Sequence, residues 1–240
     1  MTTHRLPDAV LRPLSDTHAF ASTVERLGAA IRLGVFACGD QLPPERELAV
    51  KLGVSRVNLR EAIAALREAE MVQTRRGRGG GTTVVYAGSA AQPMDQAELR
   101  RRSPQLADAL NYRRVVEPGA AYLAASSELT AEQRDWLADS EAAVRVAGPG
   151  PAYRVADARL HLAVAALSGS PMLIEAVTRA QSSLDGLLSL LATLPGTIEQ
   201  SHQSHRAVIA AILAGDPLAA RAEMEQNCDA TAALLRTLLE

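Results

Sequence analysis

The segment from Ser55 to about Ala69 constrains the fold more than any other stretch of this 240-residue chain. At about 100° per residue, Leu59, Ala62, Ile63 and Leu66 form one apolar helix stripe. Arg56, Arg60 and Arg67 fall within about 40° of one another on the stripe beside it. Ser55 is a good N-cap for such a helix. A helix built this way docks on a core through its leucines and leaves guanidinium groups outside. Taken alone, that outer face is better read as an ordinary solvated one, since exposed arginines are common. It also suits DNA, because Arg addresses guanine edges bidentately and phosphates by charge.

The flanking sequence favours DNA. From Thr17 to Ala37, Phe20, Val24, Leu27, Ile31 and Val35 recur every three or four residues, one apolar helix face. Gly39-Asp40 makes a turn, Pro43-Pro44 opens a short helix from Glu45 to Leu52, and Gly53 breaks it. Beyond the arginine helix, Met71–Thr74 and Thr82–Tyr86 are β-prone, and the run from Arg75 to Gly81 reads as a hairpin tip. Two helices, a glycine turn, a capped helix and a hairpin in that order form a winged helix-turn-helix over residues 17–86. The arginines Arg75, Arg76 and Arg78 could reach a minor groove or the backbone. A phosphate-cradling loop is excluded: no Lys-Ser/Thr follows the glycines, which lie between strands instead of opening a helix. Residues 1–86 hold 12 Lys+Arg against 9 Asp+Glu, and residues 87–240 hold 13 against 18, a basic head on an acidic body. Residues 1–16 read as a flexible tail and 87–102 as a linker.

The rest, residues 103–240, is helical. Alanine and leucine dominate, aromatics make up only 3% of the chain, and about six long helices are expected, consistent with an antiparallel bundle. The fold class is therefore mainly α. Pro104, Pro151, Pro171 and Pro217 fit helix starts, and Gly148, Gly169, Gly196 and Gly215 fit helix stops. Several polar residues fall on core-directed stripes. Asp157 and His161 share a face with Leu160 and Val164, His205 with Val208, Ile209 and Ile212, and Asn227 with Ala220 and Met224. Burying them is costly unless they pair or coordinate something. Imidazole and carboxylate groups from facing helices can bind a divalent transition metal, or they can hydrogen-bond one another or a ligand directly. Arg113 lies on a stripe with Leu106, Leu110, Val116 and Ala120, where it would either bind a carboxylate or pair with Glu117 at i+4. Cys38 and Cys228 are too far apart in sequence for a metal or redox motif, and no run reaches transmembrane length or resembles a secretion signal. A cytoplasmic protein with free thiols is expected, with no membrane partner.

Gly39-Asp40-Gln41-Leu42-Pro43-Pro44-Glu45-Arg46-Glu47-Leu48-Ala49, then Leu52-Gly53-Val54-Ser55-Arg56, then Leu59-Arg60-Glu61-Ala62, resembles the head of GntR-family regulators over about residues 18–86. The resemblance implies DNA contacts from Arg46, Ser55, Arg56 and Arg60, with the wing tip at Arg78 and Gly79. Asn58 stands where relatives often carry Thr or Pro. Over about residues 103–235 the chain resembles the FadR-type branch, whose body is the FCD domain. The carrying segments are Tyr112–Ala121 with Leu123-Ala124-Ala125, Ser204–Ile209, Ala214-Gly215-Asp216 and Ala219-Ala220-Arg221. A metal-binding subgroup of that branch uses Asp, His, His and a last His. Asp157, His161 and His205 match the first three, and Asn227 occupies the fourth. The resemblance implies Zn, Ni or Mn there, and it aligns Arg113 with an arginine used near the effector. The expected function is a repressor: a homodimer on a pseudo-palindromic double-stranded DNA operator, controlled by a small carboxylate. The alternatives are a metal-free pocket binding an acyl-CoA or organic acid directly and, more remotely, a metalloenzyme; the expectation is no enzyme, because catalysis would leave the winged helix unexplained.

Overall fold

The computed structural model describes residues 19–75, 77, 80–88, 96–191 and 195–239. Arg76, Arg78 and Gly79 of the expected wing tip, and the expected tail, lie outside them. The chain divides into two compact units, Met1–Gly88 and Ser89–Glu240. Among the described residues no helix is long and apolar enough to cross a membrane.

In the first unit, α1 (Ala19–Arg32), α2 (Glu45–Leu52) and α3 (Arg56–Glu68) precede a two-stranded antiparallel sheet of β1 (Val72–Arg75) and β2 (Gly81–Val84). The apolar periodicity becomes the core: Leu27, Ile31, Leu33, Leu48, Leu52, Leu59 and Leu66 are buried. Phe20 departs from its expected face and is 45% exposed, near the start of α1. Gly53 ends α2 in the left-handed conformation (φ 67°), its N–H reaching the carbonyls of Ala49 and Val50, which frees the chain to turn into α3. Ser55 caps α3, its hydroxyl accepting from Asn58 N at 3.1 Å. The strands pair Val72 with Val84 and Arg75 with Gly81. Leu42 N donates to Thr82 O at 2.8 Å, tying the segment before α2 to the hairpin.

The second unit holds α4 (Gln96–Ser126), α5 (Ala131–Val146), α6 (Pro151–Leu167), α7 (Pro171–Ser183), the short α8 (Asp185–Leu191), α9 (Pro195–Ala214) and α10 (Pro217–Leu239). Two expectations are corrected here. Helix α4 begins at Gln96, within the stretch 87–102 read as a linker, and it runs through both Pro104 and Pro118. Gly196 is the second residue of α9 and does not stop a helix. Pro151, Pro171 and Pro217 do sit first in their helices, where the missing N–H costs nothing. A capping box starts α5: Thr130 Oγ1 accepts from Gln133 N while Thr130 N donates to Gln133 Oε1. Helix α4 packs on α10, α7, α6 and α9 and so forms the spine of the unit. Its apolar core joins Ala121, Leu137, Leu160, Val164, Val208, Ile212 and Met224. A second cluster, around Leu106, Leu110, Leu184, Leu188 and Leu235, closes the other end of α4.

Candidate functional sites

On the head, Arg46, Arg56 and Arg60 are exposed, as is the capping Ser55. Arg60 Nε donates to Glu45 Oε2 at 2.7 Å. Val57, one residue past Arg56, is 65% exposed, an apolar group able to meet a thymine methyl. Sequence reasoning missed both Glu45 and Val57: the first is joined to α3 only by the fold, and the second lies outside the arginine stripe.

In the body, the polar residues on core stripes meet in one buried cluster. Helix α6 supplies Arg154, Asp157 and His161, α9 supplies His205, α10 supplies Asn227, and α4 supplies Arg113 and Glu117. All are at most 9% exposed. The donor atoms of Asp157, His161 and His205 lie within 4.8 Å of one another. Asp157 Oδ1 is 3.3 Å from His205 Nε2 and 3.9 Å from His161 Nε2. His202 is outside this group; its ring packs on Tyr153 with centroids 5.7 Å apart.

Around those three, each group is held in place. Glu117 Oε2 receives Arg113 Nε at 3.0 Å, and its Oε1 accepts from Gln181 Nε2 at 2.7 Å. His161 Nδ1 lies 2.8 Å from the same Oε2, at ion-pair distance but with the N–H out of line for a good hydrogen bond. Arg154 Nη1 donates to Asp157 Oδ2 at 3.2 Å, its Nε to Asp185 Oδ1 at 3.1 Å, and its Nη2 to the backbone and side-chain oxygens of Gln181. Arg113 Nη2 donates to Asn227 Oδ1 at 3.1 Å and stands 3.4 Å from His161 Nε2. The Arg113–Glu117 pair is one of the two roles the sequence offered for Arg113, but the contacts of Glu117 with His161 and Gln181, and the roles of Arg154 and Gln181, escaped the sequence reading. Arg154 carried a signal, since it lies three residues before Asp157 and shares its face.

Charge and burial set the protonation states. Burial works against ionised Glu117, but Arg113 and His161 outweigh it and hold the carboxyl well below the usual carboxylate range. Burial likewise opposes the Asp157 charge, and His161, His205 and Arg154 prevail. Burial would also lower the Arg113 pKa, yet Glu117 raises it overall, so the guanidinium stays charged. Burial pushes the His205 imidazole down to about 4, Asp157 opposing and His161 and Arg113 adding to the shift. His205 is therefore neutral at pH 7, and both its ring nitrogens are buried without a hydrogen-bond partner.

An unpartnered buried imidazole beside a carboxylate and a second imidazole fits a divalent ion. The 3.3 Å Asp157–His205 spacing falls within the roughly 3.0–3.4 Å that bonds of about 2.1 Å require, whereas His161 Nε2, at 3.9 Å from Asp157, would have to move inward to share the ion. Glu117 near His161 Nδ1 is the kind of outer carboxylate that turns Nε2 toward a metal. A cavity of about 360 Å³ reaches the cluster through Arg113, Asp157 and Asn227 and continues past Tyr153, Ser204 and Thr231.

Comparison with known proteins agrees with this layout. The family model described as "Bacterial regulatory proteins, gntR family" matches residues 21–84, and the FCD domain model matches residues 108–230. The HTH-type transcriptional regulator RmpR of Mycobacterium gastri is 32% identical over 203 residues, covering 82% of this chain and 71% of its own. The L-lactate dehydrogenase operon regulatory protein of Escherichia coli (strain K12) is 33% identical over 224 residues, covering 89% and 83%. The solved structure of E. coli McbR/YncC aligns with a TM-score of 0.56 at 19% identity, over 93% of this chain and 100% of that one, a likeness of fold.

Proposed function

The chain belongs to the gntR family of bacterial regulatory proteins, with an FCD domain as its body, and from that premise we propose a dimeric repressor released by a small carboxylate bound beside a metal. It is a DNA-binding transcriptional regulator, and the metalloenzyme alternative falls with family membership. In this reading α3 enters the major groove, with Arg56 and Arg60 toward base edges. Arg46 and Ser55 hold the flanking phosphates, and the wing tip at Arg78 and Gly79 reaches beside them. One small head reads few base pairs, so two heads on a pseudo-palindrome supply the rest.

The observation that carries the metal reading is the buried, unpartnered His205 imidazole, 3.3 Å from Asp157 Oδ1. Asp157, His161 and His205 would hold Zn, Ni or Mn, with Asn227 or the effector beside them. A divalent ion there would supply Lewis acidity and positive charge toward a carboxylate. The charge balance points the same way. Within the cluster Arg113 and Arg154 face three carboxylates, Glu117, Asp157 and Asp185, so a dication leaves one excess positive charge that a monocarboxylate neutralises. Metal and acid should therefore bind cooperatively, each raising the other's affinity equally. Arg113 has the free hydrogen-bonding capacity for the acid, its Nη1 lacking a partner. Bound acid then favours a dimer geometry in which the two heads no longer match the half-sites.

A second reading has its own support. Arg113 Nη2 sits between His161 Nε2 and Asn227 Oδ1, and each of the buried carboxylates Glu117 and Asp157 already faces an arginine without an ion. On that reading Arg113 and the histidines take an organic acid directly. An acyl-CoA fits less well, because the cavity is about 360 Å³ and lined largely by polar side chains.

Elemental analysis and calorimetry on wild type and His205→Ala separate the two. The E. coli relative is named for an L-lactate dehydrogenase operon, so L-lactate heads the panel of short acids to titrate. The metal reading expects one equivalent of Zn or Ni, acid binding that vanishes with chelator, and neither in His205→Ala, whose DNA binding survives. Wild type that stays metal-free under excess Zn and Ni, yet binds an acid, would establish the second reading.

A further inference from the structure

The three outward arginines of α3 stand in unequal surroundings. Among the described residues Arg56 and Arg67 have no ion-pair partner, whereas Arg60 Nε lies 2.7 Å from Glu45 Oε2. Glu45 is the first residue of α2, where free amide N–H groups and the positive helix end favour a carboxylate. The pair thus bridges two helices of the head. Its side chains are 60% and 35% exposed, and ion pairs so open to water add little to stability.

What the contact does fix is direction. A guanidinium carries its N–H groups in one plane on Nε, Nη1 and Nη2. With Nε held by Glu45, the end left to grip two acceptors at once is Nη1–Nη2. An exposed arginine without such an anchor spreads over many rotamers and surrenders that freedom on binding. We propose that Glu45 is a positioning residue for sequence reading: it sets the plane of the Arg60 guanidinium so that Nη1 and Nη2 meet O6 and N7 of one guanine. The same carboxylate repels phosphates, so it weakens binding to any duplex while sharpening the choice among duplexes. This inference rests on the reading of α3 as the helix that enters the major groove.

The test uses the full-length protein and a duplex enriched by wild type from a random-sequence pool, beside a scrambled duplex of equal length. Glu45→Ala lowers the ratio of the two affinities about tenfold, the scale of one bidentate base contact, while affinity for the scrambled duplex holds or rises. Glu45→Gln, which keeps an acceptor without the charge, loses less. Arg60→Ala lowers the ratio similarly, and adding Glu45→Ala to it costs nothing more. Fresh selections with Glu45→Ala lose preference at the same base pair as selections with Arg60→Ala. A Glu45→Ala protein with the wild-type ratio, with equal losses on both duplexes, or with losses additive to Arg60→Ala would overturn the proposal while leaving the docking of α3 intact. An Arg60→Ala protein that reads DNA like wild type would instead remove the docking on which it rests.

Discussion

Replacing Glu117 by Gln tests whether the buried cluster is an electrostatic unit. The carboxylate is 1% exposed and faces donors on both oxygens, Arg113 Nε at 3.0 Å and Gln181 Nε2 at 2.7 Å. Whichever way the new amide is turned, its NH₂ meets a donor. Gln181 cannot turn to accommodate it, because its own Oε1 accepts from Arg154 at 3.1 Å. The Arg113 charge is left without its nearest counter-ion, in a site where such a loss costs about 3–5 kcal/mol. For a domain of this size about 2–4 °C is lost per kcal/mol, so the melting temperature of the body should fall by roughly 6–20 °C. Circular dichroism on the full chain reads the shift, since helices dominate the signal. A double variant, Arg113→Met with Glu117→Leu, removes both charges at similar volume and should recover most of the loss. A Glu117→Gln protein melting within about 2 °C of wild type would refute the claim that Arg113 depends on this carboxylate.

Other expectations are more direct. Arg56→Ala should cost about 1–3 kcal/mol of operator binding with the fold unchanged by circular dichroism, and wild-type gel-shift affinity would contradict the placement of α3. Asn227→His should tighten metal binding about tenfold or more, because it adds an imidazole ligand; unchanged affinity by competitive chelator titration would mean that Asn227 lies outside the metal's reach. The metal-free protein should lose stability in mild acid. The His205 pKa is about 4 in the folded state against 6.5 in the open chain, so the unfolded state takes up the proton first. The contribution, about 3 kcal/mol, is fully present above pH 6.5 and lost as pH falls toward 4. Equal urea midpoints at pH 7 and pH 4.5 would contradict it.

Periodicity made much of the body legible. Residues on core stripes end up in the core whatever their polarity, and so Arg113, Asp157, His161, His205 and Asn227 are all buried. What periodicity cannot express is which stripes face one another. Glu117 was visible only as the i+4 neighbour of Arg113, yet it also touches His161 from α6 and Gln181 from α7. Gln181 lies 64 residues from the carboxylate it serves, and nothing local marks it as more than a helical glutamine. The start of α4 was misplaced for a different reason. Pro104 suits a first helical turn so well that it reads as one, but proline can also sit inside a helix when its neighbours supply the missing contacts. In the head the glycine turn and the serine cap are local devices, and both are found where the sequence put them.

The buried cluster also governs the order in which the body can be completed. Arg113 enters on α4, the first helix of the unit, but its partner Asn227 arrives only with α10, the last. Arg154 on α6 needs Gln181 from α7 and Asp185 from α8. A chain emerging in sequence carries Arg113 with Glu117 and Arg154 with Asp157 on the same helix, but the later partners Asn227, Gln181 and Asp185 are still missing. Docking the pairs early would leave N–H groups unsatisfied away from water. The body is thus expected to stay loosely formed until its final helix is available and then to close in one step. Fragments ending before Pro217 should behave as collapsed helical chains, not as smaller folded domains.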